Sequence, residues 1–130
     1  IQTDRLEAAR AFASRILGVL VLKGAGTLVT APDGAALLSP FACPALAVAG
    51  SGDVLAGCVA AYLARGLAPL PAACCGVYVH GHCGQELGRH APGRGILARD
   101  IAHQLPVGLK ELLHAARQGH HDPEPGDGAA

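Results

Sequence analysis

Gly50, Ser51, Gly52 and Asp53 are the residues whose order most directly suggests chemistry. Two glycines bracket a serine, an aspartate follows, and Val54-Leu55-Ala56-Gly57 then turns apolar and helix-compatible. The pattern predicts a loop that exposes backbone amides at the N-terminus of a buried helix. Free N–H groups and the positive end of the helix dipole then point the same way, which makes an anion site. Asp53 is the odd member, because a carboxylate beside an anion site repels the anion. A general base that takes the proton from a hydroxyl attacking a phosphoryl group would account for it. The plain alternative is a tight strand-to-helix turn with Asp53 as a helix cap.

A second glycine-rich stretch lies upstream, Lys23-Gly24-Ala25-Gly26-Thr27, at the end of a predicted strand. Ligands of open α/β sheets gather at the carboxyl ends of strands. Lys23 could pair with phosphates and the glycines allow close backbone approach, although the GxxxxGK[ST] order of a Walker A loop is absent. Alone, the stretch reads equally well as a surface turn with a solvated lysine. His80-Gly81-His82-Cys83 invites a metal reading, but no second cluster completes a ligand set. A packed histidine is the expectation there, and no residue is assigned to a metal. Cys74 and Cys75 are expected to fill core space, and His120 and His121 to be solvated.

These residues need elements to hold them. Leu6, Ala9, Phe12, Ala13 and Ile16 fall at helical spacing and predict a helix over 5–16, capped by Thr3 or Asp4. Val19–Leu22 reads as a fully apolar strand of the kind found in parallel sheets. Thr27–Ala31 and Ala36–Ser39 read as two more strands, joined by the turn Pro32-Asp33-Gly34. Pro40 to Pro44 is an irregular connector. A helix is predicted over 53–64 with Gly66 as its C-cap, and Pro69 and Pro71 bar its continuation. Another is predicted over 72–87, where Gly76, Gly81 and Gly84 are costly unless they permit close packing. A loop holding Pro92-Gly93-Arg94-Gly95 follows. A last helix covers 98–104, is interrupted at Pro106, and resumes over 108–117. From Gly119 the composition predicts a disordered tail.

Bulk properties narrow the class. The chain has 130 residues, is 51% hydrophobic and only 3% aromatic, and carries zero net charge from 10 basic and 10 acidic residues. A core of Ala, Val and Leu suits helices packed closely on a sheet. Nothing in the charge attracts nucleic acid or an anionic membrane. The longest apolar run, around Val54–Ala64, is too short to span a bilayer, and the first residues show no signal pattern. Cys43, Cys58, Cys74, Cys75 and Cys83 form no CxxC pair and read as reduced thiols in a cytoplasmic protein. Ile1 at the start, and a thin sheet for so many apolar helices, read as part of a longer domain continuing upstream.

Several segments together carry a family resemblance. They are Val21-Leu22-Lys23-Gly24-Ala25-Gly26-Thr27-Leu28-Val29, Pro32-Asp33-Gly34, Leu46 to Gly57, Gly76-Val77-Tyr78-Val79-His80-Gly81, and Gly95-Ile96-Leu97-Ala98-Arg99-Asp100-Ile101 with Leu105-Pro106. In this order they resemble the C-terminal half of the ADP/ATP-dependent NAD(P)H-hydrate dehydratase family, over about residues 1–115. The resemblance implies an α/β, ribokinase-like fold, a mostly parallel sheet flanked by helices, of which residues 1–118 form the C-terminal portion and 119–130 a disordered tail. It implies phosphoryl transfer from ADP or ATP to the ring hydroxyl of NAD(P)H hydrate, then loss of phosphate to regenerate NAD(P)H. In that scheme Asp53 is the base and the acid that touches substrate. Gly50, Ser51 and Gly52 supply the anion hole, and Lys23, Gly24, Ala25, Gly26 and Thr27, with Gly52, bind nucleotide. Mg²⁺ would accompany the phosphates, and a homo-oligomer is expected. One segment departs from the family: Ser39-Pro40-Phe41-Ala42-Cys43-Pro44-Ala45 replaces a run rich in Asn and Gly, and Val48 stands where Thr is frequent. Two other readings stay open, a ribokinase-like kinase of a small alcohol or vitamin precursor, and an inactive nucleotide-binding half-domain.

Overall fold

The computed structural model describes residues 2–90 and 95–119. Its elements in chain order are α1 (Gln2–Ile16), β1 (Leu20–Leu22), β2 (Leu28–Thr30), β3 (Ala36–Leu38), α2 (Ser51–Ala64), α3 (Pro69–His90) and α4 (Ala98–Gly119). A single 3₁₀ turn, Pro44–Leu46, precedes α2. The α/β class holds. The loop Pro92-Gly93-Arg94 and the residues from His120 onward lie outside the described residues, His120 and His121 among them.

The three strands form one sheet in the order β1-β2-β3, and both pairings are antiparallel. The β2–β3 hairpin is as the turn signal predicts, and the reading of β1 as a strand of a parallel sheet is corrected here, since its pairing with β2 is antiparallel. The reason is the length of the connections. Only five residues, Lys23 to Thr27, join β1 to β2, and a parallel pairing needs a crossover of a dozen or more. Val21 faces Val29 and Leu22 faces Leu28 across the first pair. The turn after β2 is built as its sequence predicts: the Asp33 carboxylate accepts the Ala35 N–H at 3.0 Å, and Gly34 takes a φ of +89°.

Alternation along β2 splits the core in two directions. Val29 points into a cluster with Leu55 of α2 and Ala73 and Val77 of α3. Thr30 is fully buried on the other face, where its hydroxyl donates to the Ala9 carbonyl of α1 at 3.2 Å. The sheet is therefore sandwiched, with α1 on one face and α2 and α3 on the other. A second cluster, Ala45, Ile96 and Ile101, packs with Leu46, Val54 and Leu87 and ties α4 to the connector before α2.

The glycines of α3 are used for close approach. A Cβ at Gly76 would sit 2.5 Å from Val59 Cγ2 and 3.3 Å from the Val59 backbone, so α2 packs directly on α3 there. A Cβ at Gly81 would overlap the Phe41 ring, and one at Gly84 would overlap the Leu46 side chain. The helix thus presents a groove into which the connector 41–46 settles.

Several boundaries differ from the sequence reading. The first helix begins at Gln2, which places Asp4 inside its first turn instead of at a cap. Pro69 and Pro71 do not merely end the preceding helix; they lie in the first turn of α3, where a missing N–H costs nothing. Pro106 does not interrupt α4, which runs unbroken to Gly119 and so takes in the first residue of the expected tail. Pro106 lies on the exposed side, while Ile101 and Gly108 anchor the opposite face of the helix, and a lost backbone bond on the wet side is tolerated by hydration.

Gly76→Val is expected to destabilise the protein by about 1–3 kcal/mol, because the Val59 backbone cannot yield to a branched side chain. Chemical denaturation followed by circular dichroism measures this, and an unchanged midpoint would mean that α2 and α3 are not in close contact.

Candidate functional site

The two glycine-rich stretches meet in space. A Cβ built on Gly52 would lie 3.2 Å from Lys23 Nζ, so the ammonium rests against the first turn of α2. Lys23 follows the last residue of β1, and Gly52 is the second residue of α2. The Lys23–Thr27 loop is braced from two sides. Arg5 donates to the Ala25 carbonyl at 3.3 Å, and Ser39 N–H donates to the Thr27 carbonyl at 2.8 Å. Thr27 Oγ1 donates to the Gly24 carbonyl at 3.3 Å. Gly26 takes a φ of +67°, which a side chain would strain.

Beside Lys23 opens a cleft of about 440 Å³. Lys23, Gly24, Ala25 and Thr27 form one wall and the connector from Ser39 to Ala47 forms the other. Leu55, Val77 and His80 close the floor. The size is that of a small-molecule site, and the floor is apolar with few polar groups, as such sites are. Gly26, Gly50, Ser51, Gly52 and Asp53 do not line it; Gly52 reaches its edge through the Lys23 contact.

Gly50 makes the turn into α2 with a φ of +83°, and a Cβ there would meet Ala98 Cβ at 3.0 Å. The amides of the loop are not equivalent. Ser51 N–H donates to Val48 O at 3.2 Å, and Asp53 N–H donates to Gly50 O at 3.1 Å. Neither the Gly50 nor the Gly52 N–H finds a backbone acceptor among the described residues. Of the three expected anion-hole members, the two glycines therefore keep free donors, and Ser51 is committed inward. Asp53 is exposed, and among the described residues its carboxylate makes no hydrogen bond or ion pair.

Sequence reasoning left His80 as a packed histidine, and the structure shows what it packs against. Its Nε2 lies 3.0 Å from the Ser51 carbonyl oxygen and 3.3 Å from Ser51 Oγ. Ser51 is 0% and His80 3% exposed. Because the carbonyl can only accept, Nε2 carries the hydrogen. The pair is therefore no Ser–His nucleophile: the ring nitrogen donates, and the hydroxyl is sealed from solvent. Burial holds the His80 imidazole below its ordinary value, and the Lys23 charge adds to this against the pull of the Ser51 carbonyl. A signal for this placement exists in the sequence, since His80 shares a helix face with Gly76 and Gly84, the face that packs most tightly.

The other residues of the apparent metal motif point elsewhere. His82 Nε2 meets Glu111 of α4 at 3.0 Å, and Cys83 Sγ donates to the Gln104 carbonyl at 3.5 Å. No group of three or more His, Cys, Asp or Glu able to hold a metal occurs among the described residues. All five cysteines are free thiols. Burial pushes Cys58, Cys74 and Cys83 up, Cys83 to about 11, so these thiols stay protonated and inert at neutral pH. No helix among the described residues is long and apolar enough to cross a membrane.

Comparison with known proteins decides the family. A family model described as NAD(P)H-hydrate dehydratase matches residues 1–107. The chain belongs to this family. It is 42% identical over 104 residues to the ADP-dependent (S)-NAD(P)H-hydrate dehydratase of Xanthomonas campestris, covering 80% of this chain and 36% of that one. It is 44% identical over 112 residues to the bifunctional NAD(P)H-hydrate repair enzyme of Moorella thermoacetica, covering 86% of this chain and 21% of that one. The crystal structure of the ADP/ATP-dependent NAD(P)H-hydrate dehydratase of Bacillus subtilis, co-crystallised with ATP and Mg²⁺, superposes with a TM-score of 0.77 at 35% identity. That match covers 85% of this chain and 40% of the crystal structure. The chain thus spans between about a fifth and two fifths of the relatives it matches.

The Ser39–Ala45 segment is a wall of the cleft, and Phe41 is its anchor, seated over Gly81 and edge-on to Tyr78 at 5.1 Å. An aromatic ring thus anchors this wall of the cleft.

Stability should fall as the pH drops below neutral. His80 is held neutral in the fold, while the unfolded chain takes up a proton near its ordinary value of 6.5, so protons favour unfolding. The contribution is fully present above 6.5 and is lost as the pH falls toward the depressed folded-state value. Melting temperatures between pH 8 and 5 test this, with a shallower slope expected for His80→Gln and an identical slope contradicting the assignment.

Proposed function

We propose that the chain is the nucleotide-binding and phosphoryl-transfer side of an ADP- or ATP-dependent (S)-NAD(P)H-hydrate dehydratase, a hydro-lyase of metabolite repair. The observation that carries this is the contact of Lys23 Nζ with Gly52, which joins two amide-rich loops into one cationic cradle beside an apolar cleft. The family and the curated relatives name the reaction, and the arrangement of residues gives it a physical basis. Lys23 balances phosphate charge, and the Gly50 and Gly52 amides donate to the transferring group where charge develops. Asp53 accepts the proton of the hydroxyl on the hydrated nicotinamide ring, and Lys23, Gly24, Ala25, Gly26 and Thr27 with Gly52 hold the nucleotide.

The transferred phosphoryl group turns a poor leaving hydroxyl into a good one, and loss of phosphate restores the dihydronicotinamide. The described residues offer no carboxylate cluster to hold Mg²⁺ by themselves. The ion would arrive with the nucleotide phosphates, as is usual for kinases, and supply counter-charge there. Zero net charge gives no attraction to nucleic acid or to a membrane surface. Reduced thiols fit a cytoplasmic setting, and a homo-oligomer remains part of the proposal.

The test is an assay with hydrated NADH or NADPH, ADP or ATP, and Mg²⁺, followed by recovery of the dihydronicotinamide absorbance. Asp53→Asn is expected to lower turnover by about 10²–10⁴-fold with little change in ADP affinity. Lys23→Ala is expected to weaken ADP binding by about tenfold or more, the worth of one charge-assisted contact. Turnover unchanged in Asp53→Asn would remove Asp53 from the chemistry, and a stable phosphorylated product from another alcohol would turn the reading toward a kinase.

A further inference from the structure

We infer that His80 is the positioning residue of the phosphoryl-transfer loop, through its hydrogen bond from α3 to Ser51 in the first turn of α2. The inference rests on the proposed phosphoryl transfer and adds to it a residue outside both glycine-rich loops.

The first turn of α2 needs an external hold. Gly50 and Gly52 have no side chain to bury, and a Cβ at Gly50 would meet only the Ala98 methyl of α4, so glycine packing gives the turn little hold. Ser51 alone points inward, and its hold is polar: a buried carbonyl and a buried hydroxyl, both within reach of one imidazole nitrogen. The Ser51 carbonyl lies one peptide unit from the free Gly52 N–H, because the two atoms belong to the same amide plane. A donor that fixes this carbonyl therefore fixes the direction of the N–H on its far side. Through Ser51, His80 sets the aim of the Gly52 amide and, one residue further, the position of Asp53.

The tautomer is part of the device. Nε2–H faces Ser51, so the imidazole works as a neutral donor and takes no proton in the reaction. A hydrogen bond to the carbonyl also polarises the peptide and strengthens its N–H as a donor, since linked bonds reinforce one another. His80 lines the floor of the cleft as well, on the side of Lys23, so the same ring joins the nucleotide pocket to the loop. A misplacement of reacting groups by about 1 Å costs on the order of 10²-fold in rate.

Two variants separate positioning from packing. His80→Leu keeps much of the volume and removes the donor, whereas His80→Gln keeps an N–H donor at comparable reach. In the dehydration assay His80→Leu is expected to lose on the order of 10²-fold in kcat with the KM for ADP within a few-fold, and His80→Gln to recover most of it. Wild-type kcat in His80→Leu would overturn the inference. So would equal loss in both variants, which would assign the effect to ring shape. A second readout needs no turnover and so stands apart from the proposed reaction. Amide hydrogen exchange should quicken in His80→Leu at Asp53 and Val54, whose N–H groups both donate to Gly50 O, and stay unchanged at Ala61 and Tyr62 further along α2. Uniform change along the helix, or none at Asp53 and Val54, would show that His80 does not hold the turn.

Discussion

The contact between the Lys23 ammonium and the first turn of α2 is the constraint on which the site depends. It joins two segments separated by a hairpin, a connector and a 3₁₀ turn in sequence. Neither loop alone is more than a glycine-rich turn. Together they place the Lys23 ammonium against Gly52 in the first turn of α2, the arrangement on which the proposed phosphoryl transfer rests. Asp53 sits on the same turn, exposed to solvent, beside the Gly50 and Gly52 amides.

The fold exists to keep that contact. β1 delivers Lys23 at its C-terminal end, and its antiparallel partner β2 carries Val29 into the cluster with Leu55 and Val77. The same cluster holds α2 and α3 against the sheet. Gly76 lets these helices approach to backbone distance, and the approach brings His80 within reach of Ser51. Small residues are thus a requirement and not a default: larger ones on this face of α3 would push α2, and with it Gly52, away from Lys23. Gly81 and Gly84 serve the other wall, seating Phe41 and Leu46 so that the connector from Ser39 encloses the cleft.

Much of this was legible in the sequence. The hairpin signal of Pro32-Asp33-Gly34, the glycine-rich loop ahead of an apolar helix and the family motifs all pointed to the elements now seen. What escaped was non-local. The direction of β1 is one such feature: a short apolar strand looks the same in parallel and antiparallel sheets, and only the five-residue connection to β2 tells them apart. Pro106 predicts a break because the rule for helix-interior proline ignores which face is wet and which is anchored. The buried contact of Ser51 with His80 is invisible locally, because it depends on α3 crossing α2. The departing segment at 39–45 was noticed as a difference, but its position as a wall of the cleft became clear only from Phe41 resting on Gly81.

The account claims one phosphate-binding site made from two loops. The most direct measurement is a titration of the ¹⁵N-labelled protein with ADP and Mg²⁺, following backbone amide shifts. The account predicts that the amides of Lys23–Thr27 and of Gly50–Asp53 shift together, with a common dissociation constant. Shifts confined to one loop, or two loops titrating with different constants, would contradict it.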